Sequence, residues 1–355
     1  MDGNSRRVSV FGPDARGERR ERVLASPRFR DGSFRNTHRV SPGLKGNPLP
    51  TLGEYFFGGS QRVPRVPLPL LDPHEGWRAP PETGLRTTWL GHSTLLLEVD
   101  GARVLTDPVF GERASPVPFA GPKRFHKPPV AIAELPELSA VLISHDHYDH
   151  LCRASIQALV ARDVPFVTSL GVGARLEAFG VPASRIVELD WFESWQVEGV
   201  DLSFTATPAQ HFSGRALHDR NHTLWSSWVI AGPRHKLFFS GDTGLTDEFQ
   251  QIGATFGPFD LVMLEIGAWH PSWGDIHLGP ENALRAHEWL QGKTLLPVHW
   301  GTFNLAIHAW DEPAETLWAG AASRGIRLLT PKLGEVVEPA RIDVPQAWWR
   351  ELQPR

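Results

Sequence analysis

The sequence predicts an α+β protein in which two β-sheets pack face to face between layers of helices, an αββα sandwich. Two observations predict this fold class. Short β-type segments bounded by glycine, proline and other turn residues recur through both halves of residues 85–335. Stretches of helical length lie between many of them, and such helices cover the outer face of a sheet. A chain of 355 residues, 41% of them hydrophobic, can build this domain with extensions on either side.

The predicted elements follow one another in a regular order. In the first half, the sequence predicts strands at Thr87–Leu90, Leu95–Val99, Arg103–Thr106, Val141–Ser144 and Phe166–Thr168, and helices at Ala154–Arg162 and Val172–Phe179. In the second half, it predicts strands at Leu202–Ala206, Trp228–Ala231, Lys236–Ser240, Leu261–Ile266 and Leu295–Val298, and helices at Pro280–Leu290 and Pro313–Ala322. Asp100-Gly101 is typical of a hairpin turn. Gly180 and Pro182 end the helix before them, and Pro280 suits a first helical turn, where its missing N–H costs nothing.

Composition changes outside residues 85–335. Residues 1–40 hold ten arginines and five acidic residues, and the first 25 show no hydrophobic periodicity, which predicts a flexible N-terminal segment. Residues 41–84 are rich in proline and glycine and are predicted to be an extended arm that wraps the core. Residues 336–355 are predicted to be a C-terminal tail whose Trp348-Trp349 pair packs against the domain.

Charge and cysteine content exclude several classes of protein. Residues 46–355 hold 25 basic and 35 acidic residues, which argues against nucleic acid as a partner. Cys152 is the only cysteine, so an internal disulfide and a cysteine-rich metal site are excluded. The longest apolar runs fall well short of the roughly 20 residues of a membrane span. We expect a cytoplasmic protein, and leave open peripheral contact with a membrane and assembly as a homodimer.

One short segment concentrates the residues that bind metal ions. His145-Asp146-His147-Tyr148-Asp149-His150 contains three imidazoles and two carboxylates and directly follows a predicted buried strand. Zinc is bound by neutral imidazole nitrogens and carboxylate oxygens. Alternate side chains of an extended chain share one side, so His145 and His147 can point to the same ion. If the chain turns after Tyr148, Asp149 and His150 can reach a second one.

Three further potential ligands each follow a predicted strand. They are His211, Asp242 and His299. The carboxyl ends of strands meet at one edge of a layered fold, where loops gather. Each residue alone is compatible with an ordinary polar strand end, but together with the histidine-rich segment they predict one metal site.

These motifs resemble those of the metallo-β-lactamase superfamily, in which H-x-H-x-D-H is followed by His, Asp and His after successive strands. More narrowly, the chain resembles the N-acyl-phosphatidylethanolamine phospholipase D branch and its bacterial relatives. The segments that carry the narrower resemblance are Asp31–Asn36, Trp89–Thr94, Leu105–Phe110, Gly121–Phe125 and Gly257–Leu261. The likeness extends from about residue 27 to 335.

The resemblance implies two zinc ions per chain and assigns the ligands between them. One ion would be held by three histidines, the other by an aspartate and two histidines, and one aspartate would bridge both. These sets are His145, His147 and His211; Asp149, His150 and His299; and Asp242 as the bridge. The resemblance also implies that Asp149 orients the attacking water, which makes it the candidate catalytic residue.

Three other residues have roles that the resemblance suggests. Tyr148 and His277 would contact the substrate, although an exposed loop position is an alternative for His277. Asp107 would lie behind a ligand histidine and fix its tautomer. A role in stabilising the turn before Pro108 is the alternative for Asp107.

The expected function is hydrolysis of a phosphodiester by a metal-bridging hydroxide, because zinc lowers the pKa of its bound water to about 7. The resemblance implies phospholipase D-like action on N-acyl-phosphatidylethanolamine or a related lipid. One alternative is a lactonase or another acyl or ester hydrolase, since lactonases of this fold share the Gly-His-Ser-Thr segment at residues 91–94. A second is a non-catalytic protein that binds metal or lipid. The substrate is thus expected to be a small molecule or a lipid.

Overall fold

A computed structural model describes residues 12–40, 53, 59, 61–270, 273–342 and 344–352. The elements of the first half are α1 (Gly17–Ala25), β1 (Phe29–Arg30), β2 (Ser33–Phe34), β3 (Leu85–Gly91), β4 (Thr94–Val99), β5 (Ala102–Thr106), β6 (Ala140–Leu142), α2 (Arg153–Leu159), β7 (Phe166–Ser169), α3 (Gly173–Ala178) and β8 (Ile186–Leu189). Those of the second half are β9 (Ser194–Gln196), β10 (Ser203–Thr207), β11 (Ser227–Ala231), β12 (Lys236–Phe239), α4 (Glu248–Phe256), β13 (Leu261–Glu265), α5 (Gly279–Trp289), β14 (Leu295–Val298), α6 (Glu312–Arg324) and β15 (Val336–Val337). Short 3-10 helices lie at Ile132–Glu134, Ala183–Arg185, Pro339–Arg341 and Trp348–Leu352.

Two mixed sheets form the sandwich. The first has seven strands in the order β15-β3-β4-β5-β6-β7-β8, and the second has six in the order β14-β13-β12-β11-β10-β9. In each sheet the strands pair antiparallel on one side and parallel on the other. The predicted αββα sandwich is confirmed in this arrangement.

Strand β4 shows why the first sheet is buried on both faces. Leu95 and Leu97 join the core between the sheets, whereas Leu96 joins a second core beneath the helices. Successive side chains of a strand point to opposite faces, so an uninterrupted apolar run serves a strand that is covered on both sides. The strand is followed by Asp100-Gly101, whose φ angles of 50° and 94° suit the tight hairpin turn that the sequence predicts.

The sequence predicts a flexible N-terminal segment, but the described residues of this segment are ordered. Among the described residues of this segment, α1 and the β1–β2 hairpin are regular structure that packs on the domain. Arg19 forms a salt bridge with Glu188, and Arg22 forms one with Glu193. These two arginines are therefore paired with acidic residues far away in the sequence, which local periodicity cannot show. Residues 1–11 lie outside the described residues.

The predicted Pro/Gly-rich arm and the predicted C-terminal tail both contact the domain. Residues 61–84 contain no helix or regular strand, but the Leu71 N–H donates to the Leu333 carbonyl at 2.8 Å; most of residues 41–60 lie outside the described part. The predicted domain boundary at 335 is too early, because β15 pairs with β3 and belongs to the first sheet. Trp348 and Trp349 are buried against the domain. Within the part of the chain that the structure describes, no helix is long and apolar enough to cross a membrane.

Candidate metal centre

Loops that leave the carboxyl ends of strands in both sheets meet at one edge of the sandwich. The loop after β6 carries the histidine-rich segment, and residues after β3, β10, β12 and β14 face it. The two sheets approach closely here because position 241 is glycine. A Cβ on Gly241 would lie 2.6 Å from the Ser144 Cβ, and the residue has a φ of 54°.

The first cluster of candidate ligands joins His145, His147, His211 and Asp242. Their ligand atoms all lie within 4.8 Å of one another. The His147 Nδ1 atom is 2.9 Å from His145 Nε2 and 3.2 Å from His211 Nε2. Asp242 Oδ2 lies 3.8 Å from His145 Nε2 and 3.7 Å from His211 Nε2.

The second cluster joins His92, Asp149, His150 and His299 within the same limit. Asp242 Oδ1 lies 3.1 Å from His150 Nε2 and 3.2 Å from His299 Nε2. Asp149 Oδ2 lies 3.3 Å from His299 Nε2. Asp242 thus presents one carboxylate oxygen to each cluster, as a bridging ligand would.

The residues present fit a pair of divalent cations. The Nε2 atoms of His150 and His299 and the Oδ1 atom of Asp242 are buried without a hydrogen-bond partner, an arrangement that costs free energy unless an ion satisfies them. The donors are imidazole nitrogens and carboxylate oxygens, the set that suits zinc and related metals. The seven ligand residues that the sequence predicts all lie at this centre.

Hydrogen bonds behind the ligands fix the orientation of the rings. His150 Nδ1 donates to Asp107 Oδ2 at 2.6 Å, and the Asp107 carboxylate also accepts the Ser144 N–H and hydroxyl at 2.7 Å each. His211 Nδ1 donates to the Ile276 carbonyl at 2.9 Å. Partners of this kind set which ring nitrogen is free to bind the metal. Asp107 therefore lies behind a candidate ligand, the first of its two interpretations.

Burial and neighbouring charges separate the histidines into two groups. Burial lowers the pKa of His145, His147 and His211. Burial alone would also lower the pKa of His150 and His299, but the nearby carboxylates of Asp242 and Asp149 outweigh it. They raise the pKa of His150 well above its usual value and that of His299 to about 10.

The two predicted substrate contacts are placed differently. His277 lies at the centre: its Nδ1 donates to Glu265 Oε2 at 2.6 Å and its ring centroid is 5.1 Å from that of His211. The Tyr148 hydroxyl instead donates to the Arg215 carbonyl at 2.6 Å. The Tyr148 side chain lines a cavity of about 310 Å³ beside the metal loop, together with Arg113, Arg153 and Arg215.

Sequence reasoning did not assign His92 or Glu265 to the site. His92 follows β3, and its Nε2 is 3.1 Å from Asp149 Oδ2; Glu265 ends β13 and reaches His277. Each has a signal in the sequence. His92 sits inside a very short hairpin connection, and Glu265 is the single charged residue that closes the apolar run from Leu261. His92 and His299 also share left-handed φ angles of 54° and 64°, which cluster at functional sites.

Comparisons with known proteins agree with this geometry. The family model described as "Beta-lactamase superfamily domain" matches residues 102–300. An uncharacterised protein of Mycobacterium tuberculosis is 48% identical over 331 residues, 92% of this chain and 88% of its own. The N-acyl-phosphatidylethanolamine-hydrolyzing phospholipase D 1 of Caenorhabditis elegans is 35% identical over 272 residues, 72% of this chain and 76% of its own.

A solved structure shows the same fold. The metallo hydrolase Igni18 of Ignicoccus hospitalis superposes with a TM-score of 0.57 at 22% identity, covering 71% of this chain and 97% of its own. The two-sheet sandwich, the clustered candidate ligands and the matching family model lead to one conclusion. The chain belongs to the β-lactamase superfamily of metal-dependent hydrolases and is a homologue of the N-acyl-phosphatidylethanolamine-hydrolysing phospholipases D.

Proposed function

We propose that this protein is a binuclear zinc phosphodiesterase that cleaves N-acyl-phosphatidylethanolamine, or a related lipid, in the manner of a phospholipase D. The observation that carries the proposal is the position of Asp242, whose two oxygens face two separate clusters of histidines. The 35% identity to the C. elegans enzyme over most of both chains supports this substrate class.

The first ion would be held by His145, His147 and His211, and the second by Asp149, His150 and His299, with Asp242 shared. Two such ions would supply a water of lowered pKa and stabilise the negative charge that develops on the phosphoryl oxygens. In the overall reaction, a water oxygen forms a bond to phosphorus, the bond to the N-acylethanolamine oxygen breaks, and the leaving oxygen takes up a proton.

The surrounding residues supply orientation and charge. Burial favours protonation of Asp149, but His150 and His299 outweigh it and hold the pKa of Asp149 well below its usual value. The ionised Asp149 can therefore accept a hydrogen bond from the attacking water. Glu265 engages Nδ1 of His277, which leaves Nε2 as the ring nitrogen that can meet a substrate.

The cavity beside the metal loop supports a lipid substrate. Its lining includes Arg153, whose Nε atom has no hydrogen-bond partner among the described residues, beside the apolar residues Val117 and Pro118. Arg113 and Arg215 also line the cavity, but their guanidinium groups donate to backbone carbonyls. Arginine suits phosphate because its planar fork donates two parallel hydrogen bonds. A phosphate with an attached apolar chain matches both parts of this lining.

The test is an assay of the zinc-loaded protein on N-acyl-phosphatidylethanolamine and on a chromogenic phosphodiester, with a panel of lactones and esters alongside. Release of N-acylethanolamine, measured by mass spectrometry and lost in Asp242→Ala, is the expected result. Cleavage of lactones or esters alone would replace the proposal with the acyl hydrolase. Zinc binding without turnover of any compound would replace it with a non-catalytic binding protein.

A further inference from the structure

The side chain of Asn36 pairs with the backbone of His211, a candidate ligand 175 residues away in the sequence. Its Nδ2 donates to the His211 carbonyl at 2.7 Å, and its Oδ1 accepts the His211 N–H at 3.0 Å. Strand β10 ends at Thr207, so His211 has already left the sheet and its backbone groups have no ladder partners. Asn36 satisfies both groups in place of a neighbouring strand.

These two hydrogen bonds complete the restraints on the His211 ring. The backbone is held by Asn36, and the imidazole is held by the Ile276 carbonyl through Nδ1. With both ends fixed, Nε2 is left 3.2 Å from His147 Nδ1, inside the first cluster. A residue that restrains a ligand in this way affects metal affinity without touching the metal.

Asn36 can act as a restraint because the segment that carries it is itself anchored. We refer to residues 12–37 as the N-terminal arm. Phe34 is buried in an apolar cluster with Trp225, and its N–H donates to the Asn221 carbonyl at 2.8 Å. Asn221 in turn holds the loop after His211 through two hydrogen bonds. Its side-chain Oδ1 accepts the Ser213 N–H at 3.2 Å, and its backbone N–H donates to the Ser213 carbonyl at 3.0 Å.

A second anchor lies at the start of the arm. The Gly12 carbonyl accepts a hydrogen bond from the buried Arg175 guanidinium at 2.7 Å. The same guanidinium donates to Asp219 at 2.9 Å and lies 3.5 Å from the carboxylate of Asp146, which separates His145 from His147. Asp146 also accepts the Gly214 N–H at 2.8 Å. The arm thus contacts the loop that carries His211 directly, and it reaches the loop that carries His145 and His147 through Arg175.

We propose that Asn36 is a positioning residue for the first metal cluster and that the N-terminal arm is a structural part of that metal site. The second cluster has no such contact with Asn36 among the described residues. The proposal rests on the proposed function only in that the clusters hold zinc, so its test measures zinc affinity rather than turnover.

The experiment uses two backgrounds of the full-length protein, each with one cluster disabled. His299→Ala leaves the first cluster, and His147→Ala leaves the second. In each background, the dissociation constant for Zn²⁺ is measured by competition with a chromophoric chelator, with and without Asn36→Ala. We expect Asn36→Ala to weaken zinc binding roughly 10–100-fold at the first cluster, the size usual for a residue behind a ligand, and less than about twofold at the second.

Two further variants separate positioning from general damage. Asn36→Asp keeps the shape but loses the donor to the His211 carbonyl, so it should weaken the first cluster as well. Gln196→Ala removes a hydrogen bond to the Val200 carbonyl on the edge strand β9, outside the arm, and it should leave both affinities unchanged. Unchanged affinity of the first cluster in Asn36→Ala, or equal losses at both clusters, would overturn the proposal. Failure of the parent backgrounds to bind zinc would instead overturn the metal centre itself.

Discussion

The two clusters of candidate ligands share Asp242 but differ in what holds their histidines. In the first cluster, neutral groups do so: the Ile276 carbonyl accepts from His211, and the Ser144 hydroxyl lies 2.9 Å from His145 Nδ1. In the second cluster, carboxylates surround the rings. Asp107 accepts from His150, and Asp149 lies against His299.

This difference sets the charge of each cluster before metal binds. Burial among neutral partners lowers the pKa of the first cluster's histidines, so their imidazoles are neutral near pH 7 and ready to bind a cation. Carboxylates raise the pKa of His150 and His299, so those rings carry protons in the metal-free protein. Zinc must therefore displace protons from the second cluster, whereas the histidines of the first cluster are already in the neutral form that binds a cation.

Removal of the shared carboxylate should have the largest effect, because it belongs to both clusters. Asp242→Ala is expected to weaken zinc binding at both and to lower hydrolysis by about 10³-fold or more, since a metal ion supplies several kcal/mol to the transition state. Zinc content per chain and turnover are the measurements. Retention of one zinc with unchanged affinity would show that Asp242 serves a single cluster.

Loss of the carboxylate of Asp107 should affect the second cluster most. Asp107→Asn is expected to weaken zinc roughly 10–100-fold there, because His150 loses the charged group that accepts its Nδ1–H. The first cluster should weaken less, because Asp107 reaches His145 only through the Ser144 hydroxyl. Chelator competition in the His147→Ala and His299→Ala backgrounds measures each cluster separately.

A matched control for that variant is Asp100→Asn. Asp100 accepts from His235 Nδ1 at 2.7 Å in a similar carboxylate–imidazole pair, but it lies at the β4–β5 turn, outside the metal centre. This control should leave both zinc affinities unchanged. Equal weakening of both clusters by Asp107→Asn would contradict the separate support that the structure shows.

The pH dependence of zinc affinity should also separate the clusters. His299 has a pKa of about 10 in the metal-free protein, so below that pH zinc must displace a proton from it. Affinity at the second cluster should therefore rise at least about tenfold per pH unit from pH 7 to 9, because His150 carries a second proton that zinc displaces. The pKa values of the first cluster's histidines lie below their usual 6.5, so no proton is displaced and affinity should be flat over this range.

The measurement is chelator competition at several pH values in the two single-cluster backgrounds. Because the first cluster is measured in His299→Ala and the second in His147→Ala, each profile reports one set of ligands. Parallel profiles would mean that the two clusters carry the same charge before metal binds, contrary to the distribution of carboxylates.

The fold and the clustering of the candidate ligands could be anticipated from the sequence because their signals are local. The apolar run of β4, the turn at Asp100-Gly101 and the histidine-rich segment each lie within a few residues. The order of residues 12–40 was not anticipated, because it depends on partners far along the chain, such as Glu188 for Arg19. Charge composition alone is the same for a solvated tail and for arginines paired with distant carboxylates.

The residues that sequence reasoning missed are those whose role depends on the meeting of two loops. Glu265 is the last residue of an apolar strand, and it belongs to the site only because His277, from a later loop, donates a hydrogen bond to it. Asn36 belongs to a segment that resembles the phospholipase D branch, yet its contact with His211 joins residues that are 175 positions apart in the sequence. No spacing in the sequence predicts these contacts, because they depend on how the two sheets pack.

The smallest expected effect concerns His92, which decides whether the second cluster has three or four protein ligands besides Asp242. Burial, with His299 and His150 nearby, lowers the pKa of His92 to about 3, so the ring is neutral and carries one N–H. Its Nδ1 is buried without a partner, and Nε2 lies 3.1 Å from Asp149 Oδ2. A buried ring nitrogen without a partner costs less free energy when it is unprotonated than when it carries an N–H. Nδ1 is therefore unprotonated, and Nε2 carries the proton and donates to Asp149.

His92 therefore acts on the second cluster through Asp149, and His92→Gln, which retains an N–H donor, should weaken zinc there by about fivefold at most. This corresponds to the roughly 1 kcal/mol net contribution of one hydrogen bond. The dissociation constant in the His147→Ala background measures it, with Gln196→Ala as the control. A loss beyond about 100-fold would make His92 a direct ligand. The second cluster would then hold its ion with three imidazoles and two carboxylates, and the contrast with the first would be one of ligand number as well as charge.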